Sequence, residues 1–329
     1  MKIGLTYDLK ADYLALGWSK EDVAEFDGEE TIAGIETALR ALGHETDRIG
    51  RCVELARRLV RGDRWDLVFN IAEGAHGRGR EAQVPALLEA FDVPCAFCDS
   101  LTAALTLDKA MAKRVVRDAG LRTPDFALVE SPEDIAGVRL AFPLFAKPNA
   151  EGTGKGVDAA SVIRDAAGLH QVCVRLLERY RQPALVERFL PGREVTVGIV
   201  GTGRAARVIG LMEVMLLDKA EREVYSYVNK AYWEDRVRYR LVEEGTFRDE
   251  AAALALACYR VLGCRDAGRV DIRADEEGRP SFIEVNPLAG INEEYSDLPI
   301  LNRMVGRTYH ELIAEIVASA MTRVPARGS

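Results

Sequence analysis

A stretch near the C-terminus, AGRVDIRADEEGRPSFIEVNPLAGI at 267–291, limits what this chain can be more than any other. It reads as two strands joined by the polar turn Asp275-Glu276-Glu277-Gly278-Arg279, a length and composition suited to a hairpin. In the first strand Val270 and Ile272 alternate with Arg269, Asp271 and Arg273; in the second Ile283 and Val285 alternate with Phe282, Glu284 and Asn286. Successive side chains point to opposite faces, so Arg269 and Asp271 share one face, and Glu284 and Asn286 share one. If the two faces coincide, Asp271, Glu284 and Asn286 form an oxygen-only cluster beside a cation, Arg269. Oxygen donors without His or Cys suit Mg²⁺ or Mn²⁺ rather than zinc, and magnesium is usually held by one or two carboxylates with phosphate and water. Two carboxylates and an amide can hold two such ions on a nucleotide. The alternative is an exposed hairpin with a charged outer face; the turn Pro287-Leu288-Ala289-Gly290-Ile291 that follows argues for a site.

A chain of 329 residues has room for two or three domains of about 100–150 residues. Its net charge of −8, with no basic block, argues against a nucleic-acid partner. No apolar run approaches the ~18 residues that span a membrane, and MKIGLTYDLK reads as a first strand, not a signal peptide. The cysteines are scattered at 52, 95, 98, 173, 258 and 264. Cys95-Ala96-Phe97-Cys98 has no second pair and no nearby His, which favours reduced, buried thiols over a zinc or redox site. A cytoplasmic, reducing location is expected.

From the N-terminus, strands over 2–7, 44–49 and 65–71 alternate with helices over 30–42 and 53–60, which predicts a parallel sheet with helices on both faces. Between the first strand and first helix lies a long acidic, aromatic-bearing segment, 8–27, the length of a functional loop. The third strand runs into Ala72-Glu73-Gly74-Ala75-His76-Gly77-Arg78-Gly79-Arg80-Glu81, beyond a strand's carboxyl end, where open α/β sheets bind ligands. His76 there is either a surface residue or, with Arg78, Arg80 and Glu81, faces a substrate. A domain boundary is placed near residue 100. Asp108 caps a helix over 108–119 with Met111, Val115 and Val116 inward, followed by a strand over 126–129 and a short helix capped by Ser131. The strand Pro143-Leu144-Phe145-Ala146-Lys147-Pro148 opens into a glycine loop, 149–157. It matches neither a P-loop nor a Rossmann turn, yet glycines let backbone N–H groups approach an anion. Flanked by Lys147 and Lys155, the loop reads as a lid over triphosphate or as a flexible hairpin tip. Strands over 184–189, 194–200 and 205–217 indicate an antiparallel sheet. A charged, aromatic segment at 223–233 and a helix over 247–262, with Phe247, Ala251, Leu254, Cys258 and Val261 on one face, complete the series.

Lys109, Lys147 before the glycine loop, Glu187-Arg188-Phe189-Leu190, Glu194, and then Asp271, Glu284 and Asn286 occur in an order that resembles the ATP-grasp superfamily. Within it the chain resembles the D-alanine–D-alanine ligases, over nearly its whole length and most strongly from about 100 to 291. The resemblance implies an ATP-grasp fold, α/β and becoming α+β towards the C-terminus. Its parts are an N-terminal parallel-sheet substrate domain (1–100), a central subdomain with the glycine lid (101–188) and a C-terminal subdomain with the metal hairpin (189–329). It implies that Lys109 and Lys147 contact ATP phosphates beneath the lid residues Glu151, Gly152, Thr153, Gly154 and Lys155. Glu187, Arg188 and Leu190 then frame the adenine and Glu194 the ribose. Asp271, Glu284 and Asn286 are implied as ligands of two Mg²⁺ ions, with Mn²⁺ able to substitute. Arg269 is implied to steady the acyl phosphate, Gly290 to donate its N–H to the oxyanion, and Lys230 to reach the phosphate end from a mobile loop. Glu30, His76, Arg78, Glu81, Tyr227 and Ser296 are the implied substrate contacts.

The expected activity is therefore ATP-dependent carboxylate–amine ligation through an acyl phosphate, on small amino-acid or peptide substrates, by a homodimer. The alternatives are a kinase that stops at phosphoryl transfer and a nucleotide-binding regulator without turnover. The family's first-strand glycine turn, with the glutamate that grips the first amino group, is absent; residues 7–30 stand there. Ala150 and Gly154 replace the usual arginine and serine of the lid, and Asn292-Glu293-Glu294-Tyr295-Ser296 stands where the acceptor carboxylate is usually bound. These departures point to a substrate other than, or not limited to, D-alanine. The segments 7–30 and 223–233 are expected to close over the site.

Overall fold

The structure, a computed structural model, describes residues 1–217 and 237–324. Strands β1 (Lys2–Thr6), β2 (Glu45–Gly50) and β3 (Leu67–Asn70) form a parallel sheet in the order β2-β1-β3. Helix α2 (Glu29–Ala41) covers one face, setting Ile32, Ile35 and Leu39 against Ile3, Leu5 and Phe69. Helices α3 (Cys52–Val60) and α4 (Gln83–Ala90) cover the other, where Leu55, Leu59, Val84 and Leu88 meet Val68. The expected two-sided sheet is thus present. Segment 8–27 is more than a loop: it carries the short helix α1 (Lys10–Ala15) and a small core of Tyr13, Val23 and Phe26.

Helices α5 (Ser100–Leu107) and α6 (Lys109–Asp118) follow, capped by Asp99 and Asp108, whose carboxylates accept from the amides of Thr102 and Met111. The expectation that Met111 points inward is corrected, since it is exposed; α6 buries Lys109, Ala112, Lys113 and Val116 instead. A pattern reading places lysines outside, and here two of them are inside. The second sheet, order β4-β7-β5-β6, joins β4 (Phe126–Val129), β5 (Leu144–Pro148), β6 (Val162–Ile163) and β7 (Ala184–Arg188) antiparallel. Helix α7 (Ala166–Tyr180) packs beneath it through Leu169, Val172, Cys173 and Leu176.

The third sheet is antiparallel, order β10-β9-β8-β11-β12, from β8 (Glu194–Val200), β9 (Arg207–Leu216), β10 (Val237–Leu241), β11 (Ala267–Ala274) and β12 (Pro280–Asn286). Behind it lies α8 (Thr246–Val261), which buries Ala251, Ala255, Cys258 and Tyr259. Val261, expected on that face, is exposed, because the buried stripe turns through Tyr259 to Leu262. Helices α9 (Asp297–Met304) and α10 (Tyr309–Met321) close the chain. Leu312, Ile313 and Ile316 of α10 return to the core shared by α2 and the first sheet.

The hairpin pairs Arg269 with Asn286 and Asp271 with Glu284, so the two polar faces coincide and the condition for the oxygen cluster is met. Its regular alternation does not survive: the register shifts after Asp271, and Ile272 faces Phe282. Ile283 is the extra residue of a β-bulge, which sends Phe282 into the core and Ile283 towards the cleft. Cys95 and Cys98 are separate free thiols, and burial pushes the Cys95 thiol up to about 12. Among the described residues no helix is long and apolar enough to cross a membrane.

Candidate active site

The second and third sheets face each other across a cleft. β11 supplies Arg269, Asp271 and Arg273, β12 supplies Ile283 and Glu284, β8 supplies Glu194 and Thr196, and β5 and β7 supply Lys147, Glu187 and Arg188. Lys109, Glu151, Gly154, Lys155 and Leu190 complete the wall. Residues that are up to 175 positions apart in sequence, from Lys109 to Glu284, therefore line one cavity.

Asp271 accepts hydrogen bonds from Arg269 at 2.8 and 2.9 Å, from the Thr196 hydroxyl at 2.8 Å and from the Asn286 amide at 3.3 Å. Arg269 also lies 3.4 Å from Asp297. Glu284 receives the Lys147 ammonium at 2.9 Å and stands 3.8 Å from that of Lys109. The donor set is two carboxylates and an amide; among the described residues no three His, Cys, Asp or Glu side chains form a metal-binding group. Such a set fits a hard cation that completes its shell with phosphate and water.

Burial disfavours the charge on Lys147, but Glu284 and Glu187 outweigh this and hold its pKa above the ordinary lysine value. For Lys109 burial prevails, reinforced by Lys147, and its pKa is lowered despite Glu284. Glu187 is buried between Lys113 at 2.9 Å and Lys147 at 3.9 Å, so the strand end expected at the adenine is fixed by a buried lysine the sequence reading missed. Arg188 is exposed and pairs with Glu276 at 2.8 Å, while Glu194 accepts from Arg273 at 3.2 Å.

The glycine loop is packed rather than a free tip. The Asn149 amide donates to Asp108 at 2.7 Å, and Lys109 donates to the Glu151 carbonyl at 2.5 Å. The Gly152 amide donates to Glu25, whose carboxylate also meets Arg80 at 2.8 Å and Lys155 at 3.6 Å. These two cations hold Glu25 ionised, its pKa lowered although burial works the other way. Gly156 adopts a φ of +73°, and a Cβ there would lie 2.6 Å from Pro148. Only glycine meets both demands.

A second cavity opens beside the cleft. Glu73, Glu81, Gly152, Thr153, Asn286 and Gly290 line it, and Arg269, Lys109 and Glu284 belong to both. Ser296 stands next to Gly290, where an added Cβ would come 2.8 Å from its hydroxyl. Other expected substrate contacts are not brought to either cavity. His76 is exposed against the Trp18 ring, with centroids 5.4 Å apart, and Arg78 is exposed and pairs with Asp108 at 2.7 Å. Glu30 is exposed near the Tyr295 hydroxyl, 3.4 Å away. The loop turns at Gly74, φ +74°, where a Cβ would meet the Arg80 carbonyl, so Arg80 and Glu81 point in while His76 and Arg78 point out. Lys230 and Tyr227, with segment 223–233, lie outside the described residues. Glu25, Lys113 and Thr196 enter the site region from positions that no motif marked, and Asp108, legible only as a helix cap, enters it too; each is a polar residue whose burial only the assembled fold reveals.

The family model described as the D-ala D-ala ligase C-terminus matches residues 115–318. The D-alanine--D-alanine ligase of Bordetella petrii is 33% identical over 262 residues, 77% of this chain and 77% of that protein. Among solved structures, D-alanine--D-alanine ligase from Bacillus anthracis complexed with ATP superposes with a TM-score of 0.72 at 20% identity, over 98% of each chain. VanG D-Ala:D-Ser ligase from Enterococcus faecalis gives 0.74 at 18% identity, over 97% of this chain and 99% of that one.

Proposed function

Because this chain belongs to the D-alanine–D-alanine ligase family, we propose that it joins an amino-acid carboxylate to an amine at the cleft between its second and third sheets, through an acyl phosphate. It is an ATP-grasp ligase of the D-alanine–D-alanine type, and it uses ATP. A carboxylate is a poor electrophile; its phosphorylation provides a leaving group, and the amine then attacks with loss of phosphate. Phosphoryl transfer needs positioning and charge neutralisation more than covalent help. Lys147 and Lys109 stand where they can exchange Glu284 for phosphate oxygens, and Lys155 and the Gly152–Gly154 backbone roof them. Glu187, Arg188 and Leu190 bound the base and Glu194 the ribose, with Ile283 as an added apolar wall. Asp271, Glu284 and Asn286 would hold Mg²⁺, which when bound neutralises phosphate charge. Arg269 and the Gly290 N–H stabilise the oxyanion in acyl transfer, a role that loses much of its value when water is admitted.

The observation that carries this reading is the convergence of Lys109, Lys147, Arg269, Asp271 and Glu284 on one cleft. The chain divides into units of 1–100, 101–188 and 189–329, with α10 returning to the first, and it works as a cytoplasmic homodimer. Its substrate differs from D-alanine or extends beyond it. The VanG neighbour is a D-Ala:D-Ser ligase, so one fold serves more than one pair of amino acids. The test is phosphate release from Mg·ATP across D- and L-amino acids, singly and in pairs, with mass detection. Release that requires two substrates and yields a condensed product is expected. A stable phosphorylated product formed without amine would replace the ligase reading by a kinase.

A further inference from the structure

The second cavity holds more negative charge than the proposed reaction uses. Glu25 in its wall is neutralised by Arg80 and Lys155, and Glu284 faces Lys147. Glu151 pairs with Lys155 at 3.2 Å and accepts from the Gln182 amide at 2.6 Å. Of the five carboxylates in the lining, Glu73 and Glu81 remain. Glu81 is only 9% exposed, lines the cavity, and among the described residues makes no hydrogen bond or ion pair. Its chain neighbour Arg80 directs its donors to Glu25 and, at 2.9 Å, to the Ala150 carbonyl. Glu73, half-buried in the same wall, also has no such partner among the described residues. Burial pushes Glu81 up to about 7; burial, and then Glu81 itself, push Glu73 well above the usual carboxylate range. Arg80 and Lys109 favour the ionised Glu81 without outweighing its burial. A buried carboxylate with no ion-pair partner either keeps a proton or awaits a cation from a ligand.

We propose that Glu73 and Glu81 form the cation-binding end of the substrate pocket and select an amino acid with a positive charge besides its α-ammonium group, such as a diamino acid. The assignment rests on the ligase reading, since Arg269 and Gly290 in the same cavity define the end at which the carboxyl reacts. One α-ammonium neutralises one carboxylate, and the second calls for a second positive centre. Leu107, Val285 and Leu288 add apolar surface for a methylene stem.

Lysine and norleucine differ mainly in the terminal ammonium, which makes them the probes. Calorimetric titration of both enantiomers of each into the full chain with Mg·ADP is expected to show lysine at least ~10-fold tighter than norleucine. Glu73→Gln and Glu81→Gln should each reduce that ratio to about 3-fold or less, with ADP affinity kept as the check on folding. Equal binding of the two amino acids, or a lysine preference that survives both substitutions, overturns the proposal. The same panel in the phosphate-release assay separates the two claims. Condensation of neutral amino acids alone removes the cation pocket and leaves the ligase. Selective lysine binding without any product removes the ligase and leaves the pocket.

Discussion

Asp271 stands where Thr196, Arg269 and Asn286 all donate, so its charge organises the hairpin face as well as any bound ion. Asp271→Asn keeps the shape and removes that charge. Turnover is expected to fall by about 10²-fold or more, with the fold retained by circular dichroism; near-normal turnover would exclude Asp271 from the reaction. Glu81 makes a different prediction. Burial raises its carboxyl from 4.5 to about 7, so across that interval the folded chain binds more protons than the unfolded one. Its contribution to stability is therefore present below the unfolded value and lost as pH rises through about 7. Thermal melts of Glu81→Gln should lose less stability than wild type between about pH 5 and about pH 7.5. A parallel decline in both proteins would assign the pH response to other groups.

At the scale of elements, the segment before α2 and the glycine loop are fastened to each other. Glu25 joins Gly152, Lys155 and Arg80, while Glu21 accepts from the Tyr180 hydroxyl at 2.7 Å on α7. Removing one partner of a buried ion pair costs about 3–5 kcal/mol, because the remaining charge is stranded. Glu25→Ala is expected to lose stability of that order in urea and to expose 149–157 to earlier proteolysis; unchanged cleavage would mean that the loop is held by its other bonds, from Asn149 to Asp108 and from the Ala150 amide to Gln182. Alternation put Arg269 with Asp271 and Glu284 with Asn286, strand pairing brought those two faces together, and one bulged residue, Ile283, reversed Phe282. A bulge costs one residue of register and leaves no mark in a hydrophobic pattern.

For the whole molecule, Asp266 is the joint. It is fully buried immediately before β11 and accepts from the Phe97 amide at 2.7 Å, the Ser319 hydroxyl at 2.7 Å and Arg323 at 2.6 and 2.7 Å. It thus ties the first layer, the third sheet and the last helix together. Asp266→Ala should cost about 3–5 kcal/mol in urea unfolding. A loss below about 1 kcal/mol would show that the apolar contact of α10 with α2 carries the closure unaided.

Local pattern alone determined the parallel first sheet, its two helical faces and the hairpin strands that set Arg269 beside Asp271 and Glu284 beside Asn286, because strand and helix periods are properties of neighbours in the chain. Helix α7 was equally legible, with Asp165 as cap and Leu169, Val172 and Leu176 at helical spacing, though no reading of the chain marked it. Which polar residues lie inside is set by the assembled fold. Lys113 is buried against Glu187, Glu25 is clamped by two cations, and Glu73 and Glu81 face a cavity while His76 and Arg78 face water. Burial of a charge depends on partners distant in sequence, here 74 residues from Lys113 to Glu187 and 130 from Glu25 to Lys155, and no local pattern encodes those pairings.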